Sequence, residues 1–490
     1  MMNRRNFNLY AVAGFVSLLT NTKQSHSAVT TAFSVVNVKN YGAKGDGITD
    51  DYLALKRAFA KINQQKTGTL YFPPGTYLIG VHKISNGGLK NNVTDLELKN
   101  CTNVAVYGAK ATIVCRGGWI KKADYLNDNG HTYSFHDTVG LSFTNCRNLK
   151  VSSLIFDGGA NTIIKEATAE GGSYGILLSG CYDVELSKLH IHHCCTDGLY
   201  VAERGNWSPN YDNYTFKVTQ RLTVTDCVFD RNARQGMSII QLRYATFTRC
   251  IFSNTGYTGL YGSHAPAAGV DIEPNYVHDD PTGVAKGDHS TGNITFTDCQ
   301  FINNHGFEFV ATGMDSTKHP VQLTKCLFKN TQNSEAAVVP AAANTTFTDC
   351  YFDEVGLWPN YATPDVATVT KVINCGFKSS QPQLAILLMV DYVEPILYVK
   401  GCLFKLDSPV AHTWYRLFLR GENISFLNNS VSISSKEAIN DGNIDIVAIL
   451  NCRQFSGNTC ISNTDKNMHI GVLRTGLKNN KLKNIVFWID

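Results

Sequence analysis

Four short segments carry the side chains best suited to chemistry, and each is built around a glycine. They are Thr196-Asp197-Gly198-Leu199-Tyr200-Val201, Arg234-Gln235-Gly236-Met237-Ser238-Ile239, Ala267-Ala268-Gly269-Val270-Asp271-Ile272-Glu273 and Asn304-His305-Gly306-Phe307-Glu308-Phe309. Aligned on their glycines, they place Leu199, Met237, Val270 and Phe307 at one apolar position directly after the glycine. Successive side chains of an extended chain alternate sides, so Tyr200, Ser238, Asp271 and Glu308 share the opposite, outward face. On neighbouring strands Asp271 and Glu308 would stand about 5 Å apart at the backbone, with Glu273 about 7 Å further along the same face. Carboxylates this close cannot all ionise freely, so at least one pKa rises. A protonated acid beside an ionised carboxylate suits hydrolysis of a glycosidic bond: one protonates the leaving oxygen, the other is base or nucleophile. Asp271, Glu273 and Glu308 are therefore the candidate catalytic groups. Asp197, Tyr200, Arg234, Gln235, Ser238 and His305 border them and suit binding of hydroxyls or a sugar carboxylate.

The same residues allow two other readings. A lyase acting on an acidic sugar needs a base such as Arg, Lys, His or Tyr, and the three carboxylates could then hold Ca²⁺ through oxygen. Otherwise no cofactor is expected. A carbohydrate-binding surface protein would use the face without turnover. His192 and His193, beside Cys194-Cys195, have the look of a zinc-ligand cluster, but adjacent strand residues point opposite ways, which argues against a metal there.

The elements that must position these groups follow from an internal repeat. Ten of the fifteen cysteines precede a short apolar pair or triplet, in strings such as VTDCVF, FTRCIF, FTDCQF, LTKCLF and FTDCYF. From Cys227 through Cys250, Cys299, Cys326, Cys350 and Cys375 to Cys402 the gaps are 23, 49, 27, 24, 25 and 27 residues. Read as one period of about two dozen residues, with 49 as two units, this is a solenoid whose units share one core. The unit has no helical stretch and reads as three short strands and turns, one coil of a parallel β-helix. Cysteine is small and apolar enough to stack inward from coil to coil, so the thiols are expected buried and reduced, with one of the adjacent Cys194-Cys195 pair exposed. The chain is 43% hydrophobic, which is ample for such a core, and its net charge of +4 with no Lys/Arg cluster excludes a nucleic-acid surface.

Ahead of the coils, Ser34 to Val38 reads as a strand, followed by a helix capped by Asp50 and running to about Asn63. Its apolar stripe is Leu53, Leu55, Ala58, Phe59 and Ile62, suited to covering the open end of a solenoid. The strings NVKNYGAKGDGITDD, ALKRAFAKI and GTLYFPPGTYLIG together resemble the N-terminal signature of the pectate-lyase-like superfamily. The resemblance, over residues 34–80, implies an all-β, single-stranded right-handed parallel β-helix with an N-terminal capping helix, and a polysaccharide as partner. That superfamily includes rhamnogalacturonase-like and epimerase-like domains and tailspike depolymerases. RQGMSII and GVDIEPN resemble segments of its bacterial secreted members, whereas the Gly-His-Gly of polygalacturonases and the Asp-Pro-His of alginate epimerases are absent.

Residues 1–28 read as an export signal. Arg4-Arg5 precede an apolar run from Leu9 to Leu19, too short to span a membrane, and small residues surround a cleavage point before Ala28. Asn3-Arg4-Arg5-Asn6-Phe7 has the form of a twin-arginine signal, with an ordinary secretory signal as the alternative, and either implies a periplasmic or secreted location. No later stretch qualifies as a membrane span. The expected organisation is 29–80 as cap and first coil, then 81–490 as β-helix. Insertions over 117–137 and 204–220 carry aromatic residues, Trp207 among them, placed to stack on sugar rings.

Overall fold

The computed structural model describes residues 34–79, 96–116, 140–162, 174–202, 218–256, 266–274, 291–311, 320–332, 336–340, 344–359, 369–380, 386–389, 396–408, 417–421, 423–435, 447–463, 468–472, 477–483 and 485–488. It also describes the backbone of short strands at 119–120, 124–126, 132–134 and 164–165. The expected export signal, the remainder of the 117–137 insertion and 204–217 of the second insertion, Trp207 included, lie outside the described residues.

The chain from Ser34 onward folds as a right-handed parallel β-helix. One face is a 14-stranded parallel sheet running from Glu97–Lys99 to Val486–Trp488, and a 28-stranded sheet supplies the other faces. Long strands such as Arg147–Asp157 pass from one of those faces to the next, pairing with both Tyr182–Ser187 and His190–His192 of the following coil. Between coils the phase is held by ladders of identical side chains. Phe229, Phe252, Phe301, Phe328, Phe352, Phe377 and Phe404 stack in succession with ring centroids 4.4 to 5.2 Å apart. Each is fully buried, and burying such a ring contributes about 2–3 kcal/mol.

The cysteines form two ladders rather than the single one expected. Cys101, Cys146 and Cys181 mark the corner leading out of the 14-stranded sheet, where Arg147 N–H donates to Cys101 O, Tyr182 N–H to Cys146 O and Gln220 N–H to Cys181 O. Cys227 to Cys402 mark the next corner and follow one another through the same bond. The 49-residue gap is therefore one coil with a long insertion, since Gln300 N–H donates to Cys250 O. None of the fifteen cysteines forms a disulfide, and Cys194 and Cys195 are both buried, contrary to the expectation that one faces solvent. The recurrent TDC and TNC strings have a backbone cause. The residue before the cysteine is left-handed, with φ of 51° at Asn145, 55° at Asp226, 53° at Asp298 and 54° at Asp349. Asn and Asp tolerate that conformation better than other residues with a side chain.

The cap forms as a 14-residue helix, Tyr52–Gln65, preceded by a strand at Val35–Asn37. Its N-cap is Asp51 rather than Asp50. The Asp51 carboxylate instead accepts from the Lys44 and Gly45 backbone N–H groups, tying the preceding loop to the helix start, while Asp50 Oδ1 accepts from Tyr52 N–H. Ala54, Leu55, Ala58, Phe59 and Ile62 face the core, and Leu53 is 64% exposed, so the stripe is one residue different from the expected one. The helix packs on Glu97–Lys99, the first strand of the 14-stranded sheet. There the Asn63 amide donates to Glu97 O at 2.6 Å and accepts from Lys99 N–H at 2.9 Å, standing in for the strand that an edge lacks.

A glycine ladder marks the start of five successive strands of the 14-stranded sheet. A Cβ on Gly140, Gly175, Gly198, Gly236 or Gly269 would meet the carbonyl oxygen of the equivalent residue one coil on, at 2.4 Å in the case of Gly236. The neighbour is backbone and cannot swing aside. Gly236→Ala is expected to cost about 2–4 kcal/mol, read as a lower urea midpoint with unchanged slope; a cost below 0.5 kcal/mol would refute the close approach.

Candidate active site

The outward face of the 14-stranded sheet is built on the strands Asp197–Ala202, Gln235–Ile239 and Val270–Ile272. Their register matches the glycine alignment: Asp197 opposes Gln235, and Tyr200, Ser238 and Asp271 follow one another on adjacent coils. Leu199, Met237, Val270, Val201, Ile239 and Ile272 point inward and are buried. The Ser238–Asp197 and Gln235–Asp271 contacts put the residue before the glycine and the residue two after it on the same side.

Two diagonal hydrogen bonds join these positions across coils. Ser238 Oγ donates to Asp197 Oδ2 at 2.9 Å, and Gln235 Nε2 donates to Asp271 Oδ2 at 2.8 Å. The Gln235 amide is oriented by its other end, since Oε1 accepts from Ala268 N–H at 2.8 Å. Asp197, fully buried, is held on both oxygens by Arg234, Nε at 2.9 Å and Nη2 at 2.6 Å. Burial opposes the Arg234 charge, but Asp197 outweighs it and raises the guanidinium pKa above its ordinary value. The Tyr174 and Tyr200 rings stack 4.2 Å apart on the side of the patch toward the first coils.

Asp271 differs from Asp197 in having no cationic partner among the described residues. It is 4% exposed. Burial, then the charges of Glu273 and Asp197, push it up to about 8 against the opposing pull of Arg234. At neutral pH it is the protonated acid. Glu273 lies at the solvent edge just past the strand end, its N–H donating to Ile239 O. Beyond Asp271 the outward ladder turns apolar: Val310 opposes it, and Ala268, Ala337, Val339, Phe307 and Trp358 pack with Val310.

Glu308 is not on this face. Asp271 opposes Val310, so the coil carrying Gly306 is two residues out of the expected phase. Gly306 opposes Ala267, and the place of the glycine ladder is filled by Glu308 itself, whose carbonyl lies against Gly269. The register shifts here, because Phe307 and Phe309 pair with consecutive Ala337 and Val338, and Glu308 is the residue left over. Its side chain is fully buried, accepting from Asn304 N–H, Asn304 Nδ2 and Asn330 Nδ2. Burial pushes it up to about 8 in spite of those donors. His305 likewise falls on an exposed turn, and Phe307 takes the ladder place expected for it. The oxygen set of Asp271, Glu273 and Glu308 considered for Ca²⁺ is therefore not assembled. Tyr174 was missed, although Tyr174-Gly175 repeats the polar-residue-then-glycine pattern of Asp197-Gly198.

Comparison with known proteins places these coils in a group. Residues 35–90 match the family described as Rhamnogalacturonase A/epimerase, pectate lyase-like, and residues 91–241 and 216–370 match the right handed beta helix region. The chain is 22% identical over 308 residues to uncharacterized protein YclG of Bacillus subtilis strain 168, covering 58% of this chain and 46% of that protein. It is 33% identical over 228 residues to alginate lyase 7 of Azotobacter vinelandii, covering 46% of this chain and 23% of that protein. The chain thus spans less than half the length of these curated relatives. Among solved structures, the A-module of the Azotobacter vinelandii mannuronan C-5 epimerase AlgE4 aligns with 93% of this chain and 97% of its own, at 13% identity and a TM-score of 0.41. The Streptococcus pneumoniae surface adhesin PfbA aligns with 93% and 91%, at 13% identity and a TM-score of 0.47.

Proposed function

Because the chain belongs to the pectate lyase-like superfamily of right-handed β-helix proteins, we propose that it is a polysaccharide-degrading glycoside hydrolase whose proton donor is Asp271. The observation that carries this reading is the desolvated Asp271 carboxyl, raised to about 8 on the outward face, with Glu273 two residues on at the solvent edge. Asp271 gives its proton to the glycosidic oxygen as the C–O bond breaks, and the Glu273 side chain, as general base, takes a proton from the incoming water. Asp197 and Arg234 form an ion pair. They neutralise one another and, through Ser238, hold the wall on which Asp271 sits. Tyr174 and Tyr200 offer aromatic planes for sugar rings, and Arg234, with its side chain 30% exposed, offers a contact for substrate oxygens. Export of the protein belongs to the same proposal.

A second reading, β-elimination on a uronate polymer, is favoured by the 33% identity with alginate lyase 7. There the neutral Asp271 would hydrogen-bond the sugar carboxylate, and a tyrosine such as Tyr200 would be the base. Incubation with a panel of neutral and uronate-containing polysaccharides separates the readings. New reducing ends without ultraviolet-absorbing products are expected. Absorbing, unsaturated ends would replace hydrolysis by elimination, and retained binding with no product would replace both by a carbohydrate-binding role.

A further inference from the structure

The corner that follows His190–His192 holds a second cluster, separate from the polar patch. Asp157 ends the strand Arg147–Asp157, His192 ends the strand His190–His192, and the two pair on adjacent coils. Strand alternation would send His193 to the opposite side. The strand stops at His192, however, and His193 is left-handed with φ of 51°, which brings its ring back beside its neighbour. The Nδ1 atoms of His192 and His193 lie 2.7 Å apart, and the Asp157 Oδ1 is 3.9 Å from His192 Nδ1. One ligand atom from each of the three residues fits within 4.8 Å of the others.

We propose that Asp157, His192 and His193 bind one divalent transition-metal ion, of which zinc is the representative, and that the ion clamps two successive coils. The donor set, two imidazole nitrogens and one carboxylate oxygen, suits zinc, nickel or copper rather than calcium or magnesium. The expectation against a metal here rested on strand alternation, which the left-handed His193 removes. The carboxylate is oriented, since Asp157 Oδ1 accepts from Gly159 N–H at 3.0 Å. Asp230, next in the ladder after His192, is taken up by Arg231, Ser253 Oγ and Asn254 Nδ2, which leaves Asp157 as the carboxylate ligand. His190 stacks 4.5 Å from His192 and has a buried Nε2 with no hydrogen-bond partner among the described residues. The His192 and Asp157 side chains are 17% and 32% exposed, which leaves an ion a path in. Around an ion with bonds of about 2 Å the two nitrogens must sit about 3.3 Å apart, so the rings need to part by only about 0.6 Å. Three protein ligands leave at least one position for water.

The test uses the full chain without a histidine tag, stripped with a chelator. Zinc chloride is titrated calorimetrically, and thermal midpoints are recorded with and without zinc. One ion per chain and a rise in midpoint are expected. In His193→Asn, which keeps a residue at ease in the left-handed region, and in Asp157→Asn, zinc affinity should fall by about tenfold or more and the zinc-dependent rise should vanish. The zinc-free midpoints of the variants should stay close to that of the parent chain. Absence of saturable binding, or binding undiminished in both variants, would overturn the site.

Discussion

Asp271→Asn is expected to lower turnover by about a thousandfold or more while raising, not lowering, stability at alkaline pH. The asparagine keeps the size of the side chain and can still face Gln235, but it has no proton to give. In the parent chain, the proposed hydrolysis should decline as pH rises through about 8, the value to which burial lifts this carboxyl. The stability effect follows from linkage. Between the ordinary value of 3.8 and about 8, the folded chain holds a proton on Asp271 that the unfolded chain releases. Unfolding therefore becomes easier as pH rises across that window and gains nothing further above it. Asparagine is neutral throughout, so the thermal midpoint of the variant should exceed that of the parent by a few degrees at pH 8, and the two should converge near pH 4. Glu308→Gln is the control, since it alters a carboxyl raised by the same burial but turned inward, and it should leave the alkaline limb of activity in place. Activity surviving in Asp271→Asn would end the assignment of the proton donor.

Arg234→Met should be among the most destabilising single changes on this face, costing about 3–5 kcal/mol. Asp197 is fully buried and both its oxygens face the guanidinium. Removing the arginine leaves a carboxylate whose remaining side-chain donor among the described residues is the Ser238 hydroxyl. The penalty is that of an uncompensated buried charge, so the double change Asp197→Asn with Arg234→Met should recover most of it. Urea denaturation of the parent, both single variants and the double variant measures the coupling. A cost for Arg234→Met below about 1 kcal/mol, or no recovery in the double variant, would show that the pair does not hold the wall.

Much of the architecture was legible because a β-helix repeats its physics. Every coil must bury the same few positions, so apolar pairs, left-handed Asn and Asp, and inward cysteines recur with the period of the coil. The superfamily strings around Tyr41 to Ile79 pointed to the same fold independently. Less legible was which corner a cysteine marks, because Cys101, Cys146 and Cys181 precede strands that look like those after Cys227 to Cys402. The site was legible over three coils, where Gly198, Gly236 and Gly269 occupy equivalent places and bring Asp197, Arg234, Gln235, Ser238 and Asp271 together.

From the residues alone came the solenoid, its cap, the inward apolar ladder and a polar outward face centred on Asp271, because alternation and repetition are properties of a single chain. Three things were decided by the folded coils. Glu308 turned inward, since one unmatched residue within the strand Phe307–Ala311 changes which face a side chain takes, and a glycine two positions early leaves no mark of that in the pattern. Asp197 met Arg234, and Gln235 met Asp271, because diagonal partners are chosen by packing between coils. His193 joined His192 because a left-handed residue ends the alternation on which the sequence reading relied.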